Sequence, residues 1–324
     1  MGTPSASTSD RGKKLAIGTV QFGQAYGISN VKGQPGEREV SAILQYAAKN
    51  GVVTLDTAPA YGDAESVLGH VLEDGHPFRI ITKTAALRDI AFGSSPGSII
   101  LETFEQSLSH LRVNRVEGLM VHLAEDLIGP NGDQVWAALD HIKVSGRAKT
   151  IGTSCYTSKE LLSIIERYPI DLVQLPLNIF DQRLVQDGTL SRLKERGIEV
   201  HARSAFLQGL ALMNPDHLPD NFTRAEHPLR AFSDAANDVG ISQLELALGF
   251  VGSIDEVDRV VTGINDVQEL SEVLAAIQCP LPKNVNTSAL ASDDEAVITP
   301  SMWPPDTQKK WGFDFSTDND SDQT

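Results

Sequence analysis

Several kinds of residue are scarce in this chain, and each scarcity excludes something. Only two of the 324 residues are cysteine, Cys155 and Cys279. They form neither a metal-ligand spacing nor a disulfide framework and read as reduced thiols of a cytoplasmic protein. No apolar run approaches the ~20 residues of a membrane span, and the polar, small-residue start from Met1 to Lys14 lacks an apolar signal core. The chain begins Met-Gly but carries Ala6 where a myristoylation pattern needs a hydroxyl residue. Positive charge is short: 27 Lys and Arg stand against 43 Asp and Glu, a formal net charge of −16. That balance argues against nucleic acid or an anionic membrane as partner, and an anionic ligand would need a local basic pocket inside an acidic field. The eight histidines fall in no H-x-H or H-E-x-x-H pattern, so no metal is expected.

Hydrophobic residues make up 41%, enough for a sizeable core. Short apolar runs alternate with helical patterns from about Leu15 to Ile277. Eight strands are predicted: Leu15–Val20, Val52–Thr57, Arg79–Thr84, Gly118–His122, Ala148–Ser154, Leu172–Leu177, Glu199–Ser204 and Arg259–Gly263. Continuous apolar strands such as "EGLMVH" suit a parallel sheet covered on both faces. Between them lie helical stripes, for example Val40, Ile43, Leu44 and Ala47, or Leu270, Val273, Leu274 and Ile277. Asp266 with Glu269 three residues on has capping-box spacing before the last stripe. Eight strand-helix units favour an α/β class, a closed (β/α)8 TIM barrel rather than an open doubly wound sheet. The glycines of "GTVQFGQAYG" after the first strand are at the wrong spacing for a Rossmann phosphate loop.

The domain reading is a flexible N-terminus over 1–13, the barrel over 14–283 and an acidic tail over 284–324, mostly disordered. The tail holds eight Asp or Glu against two Lys, interrupted by Trp303, Trp311, Phe313 and Phe315. Two readings of it stay open: an unstructured segment, or one docked near the barrel mouth through "PSMW" or "KKWGFDF".

Functional groups of such a barrel collect at the C-terminal strand ends. Asp56 closes the second predicted strand and Tyr61 follows in the loop; Lys83 closes the third and His122 the fourth. Together they suit carbonyl reduction. Charge builds on the carbonyl oxygen as hydride arrives, so a proton donor is needed. A phenol holds its proton tightly, and a nearby ammonium is expected to lower its pKa. Lys83 is placed for that role, Asp56 would keep Lys83 charged and oriented, and His122 would hydrogen-bond the carbonyl oxygen and share the proton transfer.

The stretch "LDTAPAYGDAESVLG" resembles the D-T-A-x-x-Y-G-x-x-E-x-x-L-G signature of the aldo-keto reductases, "RAKTIGTSCYTSKEL" resembles that family's fifth-strand segment and "DLVQLPLNIFDQR" its sixth. The resemblance covers about residues 14–278 and implies a catalytic tetrad on Asp56, Tyr61, Lys83 and His122 in a nicotinamide-dependent oxidoreductase. It further implies cofactor contacts at Ser154 and Gln174, on the nicotinamide carboxamide. Cys155 stands where the family usually has Asn, and Arg203 where it usually stacks a Tyr on the nicotinamide. A guanidinium there would stack, attract an anion, or pair with a loop acid. Phe206, Gln208 and Gly209 would run beneath the pyrophosphate, and Gly263, Asn265 and Glu269 would meet the adenosine end. There the family's NADPH users carry cations, whereas Asp266 and Glu269 are acids that would accept from a free ribose hydroxyl or simply cap a helix. The cofactor is therefore NADP(H) or NAD(H), undecided. "VQFGQAYGISN", "RSAFLQG" and "PSMW" resemble a branch associated with carbohydrate and surface-polysaccharide pathways, which implies a sugar-derived carbonyl or alcohol as the small-molecule partner. A monomer or small homo-oligomer is expected. Two other readings remain beside a reductase: a cofactor-binding regulatory subunit without turnover, and a sugar epimerase or lyase on the same scaffold.

Overall fold

A computed structural model describes residues 12–28, 30–89 and 95–303. Eight parallel strands close into a barrel in sequence order, each paired with its neighbours and the last with the first. They are β1 Leu15–Gly18, β2 Thr54–Asp56, β3 Arg79–Lys83, β4 Val116–Val121, β5 Ala148–Ser154, β6 Leu172–Pro176, β7 Glu199–Arg203 and β8 Arg259–Gly263. All eight strands predicted from sequence are present. β5 and β8 match the predicted bounds and the other ends differ by at most two residues; His122 lies just past β4 rather than at its last position.

The outer ring consists of α1 Glu37–Lys49, α2 Ala64–Val71, α3 Pro96–Leu111, α4 Gly132–Val144, α5 Ser158–Arg167, α6 Thr189–Glu195, α7 Glu226–Asp238, α8 Gln243–Ser253 and α9 Val267–Gln278. In α1 the apolar positions Val40, Ile43, Leu44 and Ala47 are the buried ones, facing the barrel. The main core lies in this annulus. Inside the barrel sits a smaller cluster of Ile81, Met120 and Leu172. Side chains two apart on a strand share a face, so Lys83 follows Ile81 and Gln174 follows Leu172 on the inner wall. Apolar residues thus plug the barrel, and a polar layer lies above them.

Two readings from the sequence need correction. The Asp266 side chain does accept from the Glu269 amide at 2.8 Å, but the reciprocal bond of a capping box is absent. The Glu269 carboxylate instead accepts from the Asn265 backbone amide at 2.8 Å and from its Nδ2 at 3.0 Å. The acidic tail also begins later than its composition suggests, because residues 284–303 pack on the barrel. Gln182 donates to the Thr287 carbonyl at 2.7 Å and the Ser292 amide to the Phe180 carbonyl at 2.8 Å. Trp303 is buried edge-on against Phe222, with centroids 4.9 Å apart. The "PSMW" segment is therefore docked, while "KKWGFDF" lies outside the described residues.

Candidate active site

At the C-terminal ends of the strands a cavity of about 670 Å³ opens. Asp56 is the deepest carboxylate on its wall and is buried. Its Oδ1 accepts from Lys83 Nζ at 2.6 Å and its Oδ2 from Gln174 Nε2 at 2.7 Å, so one carboxylate ties β2 to β3 and, across the barrel, to β6. The Lys83 ammonium, only 1% exposed, also donates to the Thr57 carbonyl at 3.1 Å. It lies below the wall, 4.8 Å from the centroid of the Tyr61 ring. A buried ammonium without such partners would be strongly disfavoured.

Tyr61 is aimed by a close backbone approach. The loop after β2 crosses the turn Val20–Gly23 so tightly that a Cβ on Gly23 would sit 1.8 Å from the Tyr61 carbonyl oxygen. Only glycine permits that approach. The Tyr61 and His122 rings meet edge to face, with centroids 6.0 Å apart at 87°. The Asp-Tyr-Lys-His set expected from the sequence is thus brought together around one cavity.

The electrostatics of two members differ from expectation. Burial pushes the Tyr61 phenol up; the Lys83 charge opposes this without reversing it, and the net direction is upward. The anticipated lowering is therefore a restraint on burial, and the phenol of this cavity keeps its proton at neutral pH. Burial pulls the Lys83 ammonium down, but Asp56 and Tyr61 outweigh it and hold the group above its ordinary value. Burial pushes His122 down to about 3, and Lys83, Arg203 and Arg88 add to the shift. His122 is consequently a neutral imidazole over the physiological range.

Of the cofactor candidates, Ser154, Gln174, Arg203, Phe206, Gln208, Gly209, Gly263, Asn265 and Glu269 all line this cavity. Cys155 does not. It is 1% exposed and belongs to the hydrophobic core, and burial raises its thiol to about 12, so it is an inert packing residue rather than a carboxamide partner. Arg203 is not paired with a loop acid among the described residues; its guanidinium lies over the Tyr156 ring at 4.2 Å from the centroid.

The wall also holds residues that sequence reading did not assign: Gln21, Tyr26, Lys32, Arg88 and Tyr156. Gln21 and Tyr26 follow β1, Arg88 follows β3 and Tyr156 follows β5. Position just past a strand end was the signal available for them. Lys32 pairs with Asp266, bridging the β1 loop to the start of α9 across the cavity rim.

The residues present fit a dinucleotide. Three buried acceptors on the wall, Gln21 Oε1, Thr262 Oγ1 and Asn265 Oδ1, have no hydrogen-bond partner among the described residues. Such orphans require a ligand or water. The Gln21 side-chain amide packs directly against Gly263, its Nε2 2.0 Å from where a Cβ would stand, so glycine there is what lets Gln21 reach the wall.

The model of the Aldo/keto reductase family matches residues 14–291, and the chain belongs to that family. Oxidoreductase YdhF of Escherichia coli is 27% identical over 194 residues, 56% of this chain and 64% of that protein. The L-glyceraldehyde 3-phosphate reductase of the same species is 25% identical over 271 residues, 73% of this chain and 78% of that protein. Against the first of these relatives the chain spans slightly less than two thirds of their length. Among solved structures, the glycerol dehydrogenase of Gluconobacter oxydans superposes with a TM-score of 0.67 at 21% identity, covering 93% of this chain and 94% of that one. A Bacillus halodurans aldo-keto reductase in its holo form gives 0.70 at 20% identity, covering 86% and 92%. At these identities the structures establish the shared barrel. Among the described residues no helix is long and apolar enough to cross a membrane.

Proposed function

We propose that this chain is an NADH-dependent reductase of a small, sugar-derived aldehyde or ketone. One observation carries the reading: a phenol and an imidazole meet on a single cavity, a paired ammonium lies beneath the phenol, and the wall after β1 and β8 holds acceptors without a partner among the described residues. A nicotinamide cofactor, when bound, supplies the hydride. Tyr61 donates its phenolic proton to the carbonyl oxygen as charge develops there. The Lys83 ammonium, held by Asp56, stabilises the phenolate left behind. Neutral His122 donates a hydrogen bond to the same oxygen and fixes its direction. Gln174 has committed its amide nitrogen to Asp56, which leaves its carbonyl oxygen to accept from a carboxamide.

The preference for NADH rests on charge. Asp266, Glu269 and Glu272 line the adenosine end, and the cation there, Lys32, is already paired with Asp266. A 2′-phosphate would bring more negative charge to that wall, whereas a free ribose hydroxyl would find acceptors. The names of two similar proteins, a glyceraldehyde 3-phosphate reductase and a glycerol dehydrogenase, support a small polyol-related substrate. Cys155 and Cys279 are not joined by a disulfide, which suits a reducing cytoplasm.

The test is Tyr61→Phe assayed with NADH and a panel of short hydroxyaldehydes. Turnover should fall about 10²- to 10⁴-fold, the usual reach of general acid catalysis, while the NADH dissociation constant stays within about twofold of wild type. Undiminished turnover in the variant would remove Tyr61 as the acid. Wild-type protein that binds NADH without reducing any carbonyl would favour the regulatory-subunit reading instead.

A further inference from the structure

The hydride-transfer end of the cavity carries an unbalanced charge. Asp56 is the carboxylate there, and it is bonded to Lys83 and Gln174. Arg203 is a second cation at the same level. It ends β7 opposite Pro176 of β6, two positions beyond the pair formed by Gln174 and His201. Its backbone is clamped: the Leu177 amide donates to its carbonyl at 3.0 Å, and Asn178 Nδ2 donates to the carbonyl of the next residue at 3.2 Å. That next residue, Ser204, has φ +61°, a left-handed conformation that turns the chain sharply after the strand. The Arg203 guanidinium lies over the Tyr156 ring and donates from Nη1 to Ser204 Oγ at 3.3 Å. Its strongest electrostatic neighbours are the phenols of Tyr156, Tyr61 and Tyr26, and no carboxylate is its ion-pair partner among the described residues. Both Tyr61 and His122 feel its charge. Any ring that reaches the space between those two side chains lies in the same positive field.

We infer that Arg203 makes this site discriminate between the redox states of its cofactor, holding the reduced, uncharged nicotinamide ring more tightly than the oxidised, cationic one. The inference rests on the function proposed above and adds to it a direction. A guanidinium facing a pyridinium is a like-charge contact inside a poorly solvated wall, where charge is weakly screened. The same guanidinium facing a dihydropyridine meets no formal charge. A fixed charge difference of this kind is worth about tenfold or more in dissociation constant. The oxidised product is therefore released readily, and the site works as a reductase. An aromatic residue at the end of β7 would apply no such bias.

The test measures dissociation constants of the full chain for NADH and NAD+ by quenching of intrinsic tryptophan fluorescence, in wild type, Arg203→Gln and Arg203→Lys. Wild type should bind NADH at least about tenfold more tightly than NAD+. Arg203→Gln should shrink that ratio several-fold, mainly by tightening NAD+, and Arg203→Lys should restore most of it. Should the Gln variant fail to fold by circular dichroism, Arg203→Met supplies the neutral arm. An equal ratio in wild type and the neutral variant overturns the inference, as does a Lys variant that behaves like the neutral one. Binding without redox bias in a chain that still reduces carbonyls defeats only this inference. Binding of neither form, with NADPH and NADP+ also failing, defeats both it and the proposed function.

Discussion

Replacing Asp56 with Asn should reverse the sign of one pH dependence of stability. In the native site the buried Lys83 ammonium is pulled down by burial and lifted by Asp56 and Tyr61, with a net raised value. A lysine whose folded value exceeds its unfolded value of about 10.5 contributes stability that is complete below that pH. That stability is lost as pH rises through the folded value. Asp56→Asn removes the counter-charge. The new amide also presents a donor to Gln174, which must turn its own amide and give up its free acceptor. In a Tyr61→Phe background, burial is then the dominant influence left on Lys83, and its folded value drops below 10.5. The variant should lose about 3–5 kcal/mol at neutral pH, the usual consequence of removing one partner of a buried pair. It should then regain stability towards alkaline pH, by up to about 1.4 kcal/mol per pH unit for the single proton involved. The assay is urea unfolding from pH 7 to 10.5, comparing Tyr61→Phe with the Tyr61→Phe/Asp56→Asn pair. Parallel curves would mean that Asp56 does not set the charge state of Lys83.

Other outcomes follow from the same geometry. His122, held at about 3 against 6.5 unfolded, should stay neutral over the physiological range. Relative to His122→Gln, wild-type stability should be complete above pH 6.5 and fall as pH drops towards 3, by no more than about 1.4 kcal/mol per pH unit; acid unfolding curves of the two proteins check this, and a coincident acid limb would contradict it. Glu269→Arg should raise the NADPH-to-NADH affinity ratio at least about tenfold, read by fluorescence titration, and an unchanged ratio would reduce Glu269 to a brace for Asn265. Gly23→Ala forces a methyl into the Tyr61 carbonyl. Turnover should drop about 10²-fold, as for an ångström-scale misplacement, with the circular dichroism spectrum intact; full activity would show that the loop absorbs the shift.

The barrel, and the gathering of Asp56, Tyr61, Lys83 and His122 at its C-terminal end, were legible because their signals are local. Alternation of strand and helix patterns is written in hydrophobic periodicity, and the strand-end positions of Asp56, Lys83 and His122 follow from where each apolar run stops. The same locality left the tail undecided between its two readings. Composition marks residues 284–303 as polar, yet a single buried Trp303 against Phe222 and a few backbone bonds dock them. Cys155 sits next to a wall residue in sequence but points into the core, because successive residues at a strand end face opposite sides.

What the sequence determined by itself was the chemistry available, a phenol, an amine, an acid and an imidazole on a barrel. Tertiary structure decided their protonation and their partners. Burial, which depends on every element packed around a group, is what raises the Tyr61 phenol and lowers the His122 imidazole. Asp56 reaching Gln174 from β2 to β6, Lys32 meeting Asp266 and Arg203 stacking over the Tyr156 ring are contacts between segments far apart in the chain. No local pattern encodes them, since closure of the barrel alone brings those segments within reach.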